Sequence, residues 1–88
     1  MSEVYRFRRE MLPDWLVWEL EHRGLIEFDL ESLTREQNRI LSLLLNLYDM
    51  VREGLVEVVF DGKSEPKYRI SEKGRKMIGE DEHVFRKR

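Results

Sequence analysis

The stretch GLVEVVFDGKSEPKYRISEKG, residues 54–74, sets two β-forming runs around a polar loop. Val56, Val58 and Phe60 recur at period two, and so do Tyr68 and Ile70 on the return run. Period two places alternate side chains on one face, so these five residues predict the inner face of a β-hairpin with strands at 55–60 and 67–70. Lys67 and Arg69 then point outward. Asp61-Gly62 suits the turn, and Pro66 has no N–H to pair with a neighbouring strand. Ser71 is placed to cap a short helix running to about Ile78.

Working upstream, Gly54 stands where a long helix should end, since glycine takes the left-handed cap without a steric penalty. Thr34 with Gln37 three residues on forms a capping-box pattern, which predicts that helix over 35–53. A second helix is predicted from Pro13-Asp14 to Arg23, with Gly24 closing it. In that helix Leu16 and Leu20 share one stripe and Trp15 and Trp18 a neighbouring one, while Glu19 and Arg23 form an ordinary surface pair. LIEFDL follows as a strand, with Leu25, Glu27 and Asp29 on one side and Ile26, Phe28 and Leu30 on the other. VYRFR near the start alternates Tyr5 and Phe7 against Arg6 and Arg8, as a half-buried strand does. WELEHRGLIEFDL and YDMVREGLVEVVF, 30 residues apart, match in character and use one device twice: helix, glycine, strand. The closing GEDEHVFRKR has no core-facing pattern. One domain over 1–79 and a mobile charged tail over 80–88 are expected.

Eighty-eight residues with 41% hydrophobic and 39% charged side chains describe a single small globular domain. With no cysteine there is neither a disulfide framework nor a thiolate metal site, and His22 and His83 have no ligand spacing. No metal or cofactor is expected. The Gly-Lys-Ser of the loop lacks the upstream glycine and following helix of a phosphate loop, and no nucleophile-base arrangement is visible, so catalysis is not expected. MSEVYRFRRE is charged and without an apolar segment, and Ile40–Val51 is too short and interrupted to span a bilayer. A soluble cytoplasmic protein is expected, with a Glu/Lys/Arg-rich composition that would suit a thermophile. The net charge is −2, but it is unevenly spread. Residues 1–33 carry 4 basic and 8 acidic side chains, and residues 34–76 carry 9 basic and 7 acidic.

The order helix, strand, long helix, strand, loop, strand, helix resembles the winged-helix superfamily. The segment MVREGLVEVVFDGKSEPKYRISEKGRKMI, residues 50–78, is similar to that of the multiple-antibiotic-resistance and phenolic-acid repressors. The resemblance implies a small α+β domain with a recognition helix and a β-hairpin wing, acting as a homodimeric transcriptional regulator on double-stranded DNA. It puts Lys63 and Lys67 on the wing near phosphates or the minor groove and Arg69 at its base. The helix that the family places before the recognition helix has only ESLTREQN to form it here. It is absent, very short or fused to the next one.

The long helix can be read directly. Arg35, Arg39, Ser42, Asn46, Asp49 and Glu53 form a polar stripe at spacings of three and four. Arg35, Asn38 and Arg39 are suited to guanine, adenine or phosphate contacts, and Ser42 and Asn46 could add readout. Asp49 and Glu53 place negative charge on the same stripe. Between Ile40 and Val51, nine of twelve residues are apolar, more than one buried stripe requires. Either the N-terminal helix with Trp15 and Trp18 wraps over the surplus or a second copy covers it, and the second copy is expected, through Leu43, Leu47 and Met50 or through a Trp15/Trp18 face. The competing reading is a winged-helix module that docks on another protein.

Overall fold

The computed structural model describes residues 3–77. The expected tail over 80–88 lies outside them. Val4–Arg6 forms strand β1, and a 3-10 turn at Arg9–Met11 leads to helix α1, Asp14–His22. Pro13 presets the helix entry, and the Asp14 carboxylate accepts the Trp15 N–H at 2.8 Å. Strand β2, Glu27–Asp29, pairs antiparallel with β1, so that Tyr5 faces Phe28 and Arg6 faces Glu27. Their side chains make use of that register. Tyr5 and Phe28 stack at 5.7 Å, and Arg6 pairs with Glu27 at 2.9 Å.

After β2 the Asp29 carboxylate accepts the Glu31 N–H and opens a single 3-10 turn, Leu30–Ser32. That turn is all that stands where a separate helix would precede the long one. Helix α2 then runs Arg35–Arg52, and its capping box is complete. Thr34 Oγ1 accepts the Gln37 N–H, and Gln37 Oε1 accepts the Thr34 N–H, both at 3.0 Å. Strands β3, Val56–Val59, and β4, Lys67–Ile70, form the expected hairpin, with Val58 opposite Tyr68 and Val56 opposite Ile70. Helix α3 occupies residues 72–77. The chain is therefore α+β, with three helices and two separate antiparallel strand pairs among the described residues.

The sequence echo is one structural motif used twice. After α1, the Gly24 N–H bonds to the Glu21 carbonyl and the Leu25 N–H to the Leu20 carbonyl. After α2, the Gly54 N–H bonds to Val51 and the Leu55 N–H to Met50, at 3.0 and 2.9 Å. Both glycines have positive φ, 68° and 79°, completing two Schellman ends. The first of these ends corrects the expected strand faces. Leu25 does not share a face with Glu27 and Asp29; as the residue after the cap it packs back on Leu20, and both are fully buried.

Trp15, Leu16, Leu20, Leu25, Leu41 and Leu44 make the core, with Tyr48, Val58 and Tyr68 packed against it. The Trp15 ring meets Tyr68 edge-on at 5.6 Å and Tyr48 at 6.3 Å. Ile70, expected inside, is 43% exposed; it lies opposite Val56 at the open end of the hairpin, away from the loop. α3 is fastened to the end of α2 by three hydrogen bonds, two from Ser71 and one from Lys73, to the successive backbone carbonyls of Leu55, Gly54 and Glu53. The Ser71 N–H bonds to the Leu55 carbonyl at 2.9 Å, Ser71 Oγ donates to the Gly54 carbonyl at 2.5 Å, and Lys73 Nζ donates to Glu53 at 3.0 Å. No helix among the described residues is long and apolar enough to cross a membrane.

Candidate nucleic-acid interface

The capping box starts α2 at Arg35, and burial of Leu41 and Leu44 fixes which way the helix is turned. Arg35, Asn38, Arg39, Ser42 and Asn46 consequently all lie on its exposed side. Their chemistry is graded along the axis. The two arginines and Asn38 occupy the first turns, where the helix dipole adds positive potential. Asp49 is fourteen residues beyond Arg35, about 21 Å away at 1.5 Å per residue. The acidic residues of the stripe are thus separated from its cationic end by most of the helix.

The hairpin loop is held by Asp61, whose carboxylate accepts the N–H groups of Lys63 and Ser64, each at 2.8 Å. The Ser64 bond, then the Lys63 bond, lowers the Asp61 pKa below its ordinary value. Lys63 and Lys67 are exposed at and beside this loop. Arg69 is placed differently from the expectation. It lies opposite Glu57 in the strand register and binds its carboxylate at 2.6 Å, so its charge is engaged within the chain. The loop rests towards α1, where Phe60 and Gly62 line a cleft of about 380 Å³ with Arg9, Leu12, Trp18 and Glu21. The helix cations and the loop cations form two sets, and no hydrogen bond or ion pair among the described residues joins them.

Ion pairing separates the basic residues into two groups. Arg6, Arg8, Arg9, Arg23 and Arg69 each meet a carboxylate. Arg52 lies over the Tyr48 ring at 5.5 Å. Arg35, Arg39, Lys63 and Lys67 have no carboxylate partner among the described residues, and neither do Arg52, Lys73, Arg75 and Lys76.

The residues expected at a dimer contact divide. Trp15 is only 5% exposed, with Tyr48 and Tyr68 against its ring, so it offers no surface to a second copy. Trp18 is half-buried and stacks on His22 at 3.7 Å, on the cleft side of α1. Leu47 is half-buried against the core, whereas Leu43 and Met50 are exposed.

One polar site escaped the sequence reading. Glu19 is 3% exposed and is not a surface residue. Its carboxylate accepts from Arg23 and from the Tyr68 hydroxyl, joining α1 to β4. Burial and then the Glu19 bond raise the Tyr68 pKa well above the usual tyrosine value. The available signal was position: Glu19 follows Trp15 by four and Leu16 by three, inside the apolar stripe. No cluster of metal-ligating side chains occurs among the described residues. Comparison with family models, curated proteins and solved structures finds no match to the chain.

Proposed function

We propose that the domain binds duplex DNA in the manner of a winged-helix regulator, with α2 as the helix that enters the major groove and the β3–β4 loop on the flanking backbone. One observation carries the reading. Arg35, Arg39, Lys63 and Lys67, on the outer face of α2 and on the hairpin, are exposed and have no carboxylate partner among the described residues, as also holds for Arg52, Lys73, Arg75 and Lys76 towards the end of α2 and on α3, while five other arginines pair within the chain. An α-helix fits the major groove, and its N-terminal residues are the ones that reach base edges. Arg35, Asn38 and Arg39 occupy that part of α2, with Ser42 one turn further along. Arg69 is left out of the contact set because Glu57 holds it.

The test is fluorescence anisotropy on labelled duplexes with Arg35→Ala/Arg39→Ala. Loss of two phosphate or guanine contacts should reduce affinity steeply and lessen the salt slope by about 0.9 for each phosphate contact removed. Asn38→Ala should instead narrow the preference between sequences more than it lowers affinity. Unchanged binding by the double variant removes α2 from the interface. Association that holds or tightens at high salt favours the protein-docking reading, for which exposed apolar residues on α2 provide a surface.

A further inference from the structure

The two Schellman ends are alike in backbone and unlike in cover. At the first, Leu20 and Leu25 are sealed in the core. At the second, the equivalent Met50 and Leu55 line an open apolar cleft of about 340 Å³, closed on its other sides by Val56, Ile70, Gly74 and Met77. Met50 is 39% exposed and Met77 57%. Seven residues before Met50, close to two full turns and so on the same flank of α2, Leu43 stands 60% exposed. One face of the molecule therefore carries both a protruding leucine and an apolar recess, about 10 Å apart along one helix.

We propose that this face is a homodimer interface in which Leu43 of each copy enters the Met50–Leu55–Met77 cleft of the other. The two α2 helices run antiparallel about a two-fold axis near Asn46 and Leu47. A two-fold contact requires that one patch be complementary to itself, and a protrusion and a recess on the same helix flank meet that requirement reciprocally. The exposed parts of Leu43, Met50, Ile70 and Met77 amount to on the order of 400 Å² per copy, the size of the largest apolar patch on a typical monomer, which is often functional. A standard interface buries about 800 Å² per partner, some 65% of it non-polar in homodimers. The patch thus supplies most of the apolar area that such an interface needs.

The two-fold has a consequence that rests on the DNA reading. Antiparallel pairing about this point puts the N-terminal turns of the two α2 helices about 30 Å apart at 1.5 Å per residue. Successive major-groove faces on one side of a duplex are ~34 Å apart. Each copy would then present Arg35 and Asn38 to its own half-site.

The dimer itself is tested without DNA. Sedimentation of the full chain at tens of micromolar should give twice 10.8 kDa. Leu43→Glu should reduce this to one chain with an unchanged far-UV spectrum, since Leu43 is exposed and lies outside the core cluster. The chain has no cysteine, so single Leu43→Cys and Met50→Cys chains can be mixed and oxidised. A mixed 43–50 disulfide should form well ahead of either self-disulfide. A monomeric wild type overturns the proposal, whether residues 78–88 or another protein covers the cleft instead. So does a dimer that survives Leu43→Glu, or one that cross-links as readily through Leu45→Cys on the opposite flank. None of these outcomes bears on DNA binding, so the two readings can fail separately.

Discussion

Tyr68 holds two roles on one ring. Its edge packs on Trp15, and its hydroxyl reaches the buried Glu19 carboxylate. Tyr68→Phe keeps the ring and leaves Glu19 with Arg23 alone, so urea unfolding should show a loss of about 1–3 kcal/mol. The same pair makes stability depend on alkaline pH. The folded chain holds the Tyr68 proton more tightly than the ordinary value of 10.0, through burial first and Glu19 second. That contribution is complete below pH 10 and is lost as pH rises from there towards the folded pKa. Wild type should therefore lose stability above about pH 10 more steeply than Tyr68→Phe, which cannot titrate there. Equal slopes would mean that the hydroxyl is not engaged. The Glu19–Arg23 half of this site was legible as an i,i+4 pair, and Glu19's place in the apolar stripe pointed to burial; the hydroxyl partner was not legible. That partner is Tyr68, 49 residues away, which only tertiary packing brings to α1.

Both ends of α2 depend on residues whose roles are local, and local roles could be read from the chain. Thr34, Gln37 and Gly54 act within a few residues of themselves, and each does what its chemistry suggests. Gly54→Ala forces a side chain to φ 79° and should cost about 1–2 kcal/mol. Gly74 is different. Its backbone is unstrained, but a Cβ there would overlap the Leu55 carbonyl and the Ile70 side chain. Gly74→Ala should therefore cost about 1–3 kcal/mol by overpacking, read as a lower thermal midpoint. A neutral result would show that α3 is not seated on the end of α2. Strand pairing is where the sequence carried least. β2 joins β1 and not the β3–β4 hairpin, and no three-residue strand holds enough side chains to specify its partner alone. The face of Ile70 was misjudged for a related reason. Period two assigns it to the inner side, while the length of the core decides whether anything lies there to cover it.

Over the whole molecule, a net charge of −2 conceals a division between neutralised and unpartnered cations. The exposed polar stripe on α2 was legible because it follows from spacing once the helix is set. Arg69 was not, since its neutralisation depends on the strand register that places Glu57 opposite. Lys63→Ala/Lys67→Ala should change folding stability by less than ~0.5 kcal/mol per site, because both side chains are exposed. On DNA the same change should weaken binding to all sequences alike. The most direct measurement is titration of the wild-type chain with a random duplex at ~50 and ~200 mM salt. Four phosphate contacts per chain give a log–log slope of about −3.6 for each chain engaged, so affinity should fall at least a hundredfold between the two conditions. No binding at the lower salt, or an affinity that is the same at both, would contradict the account.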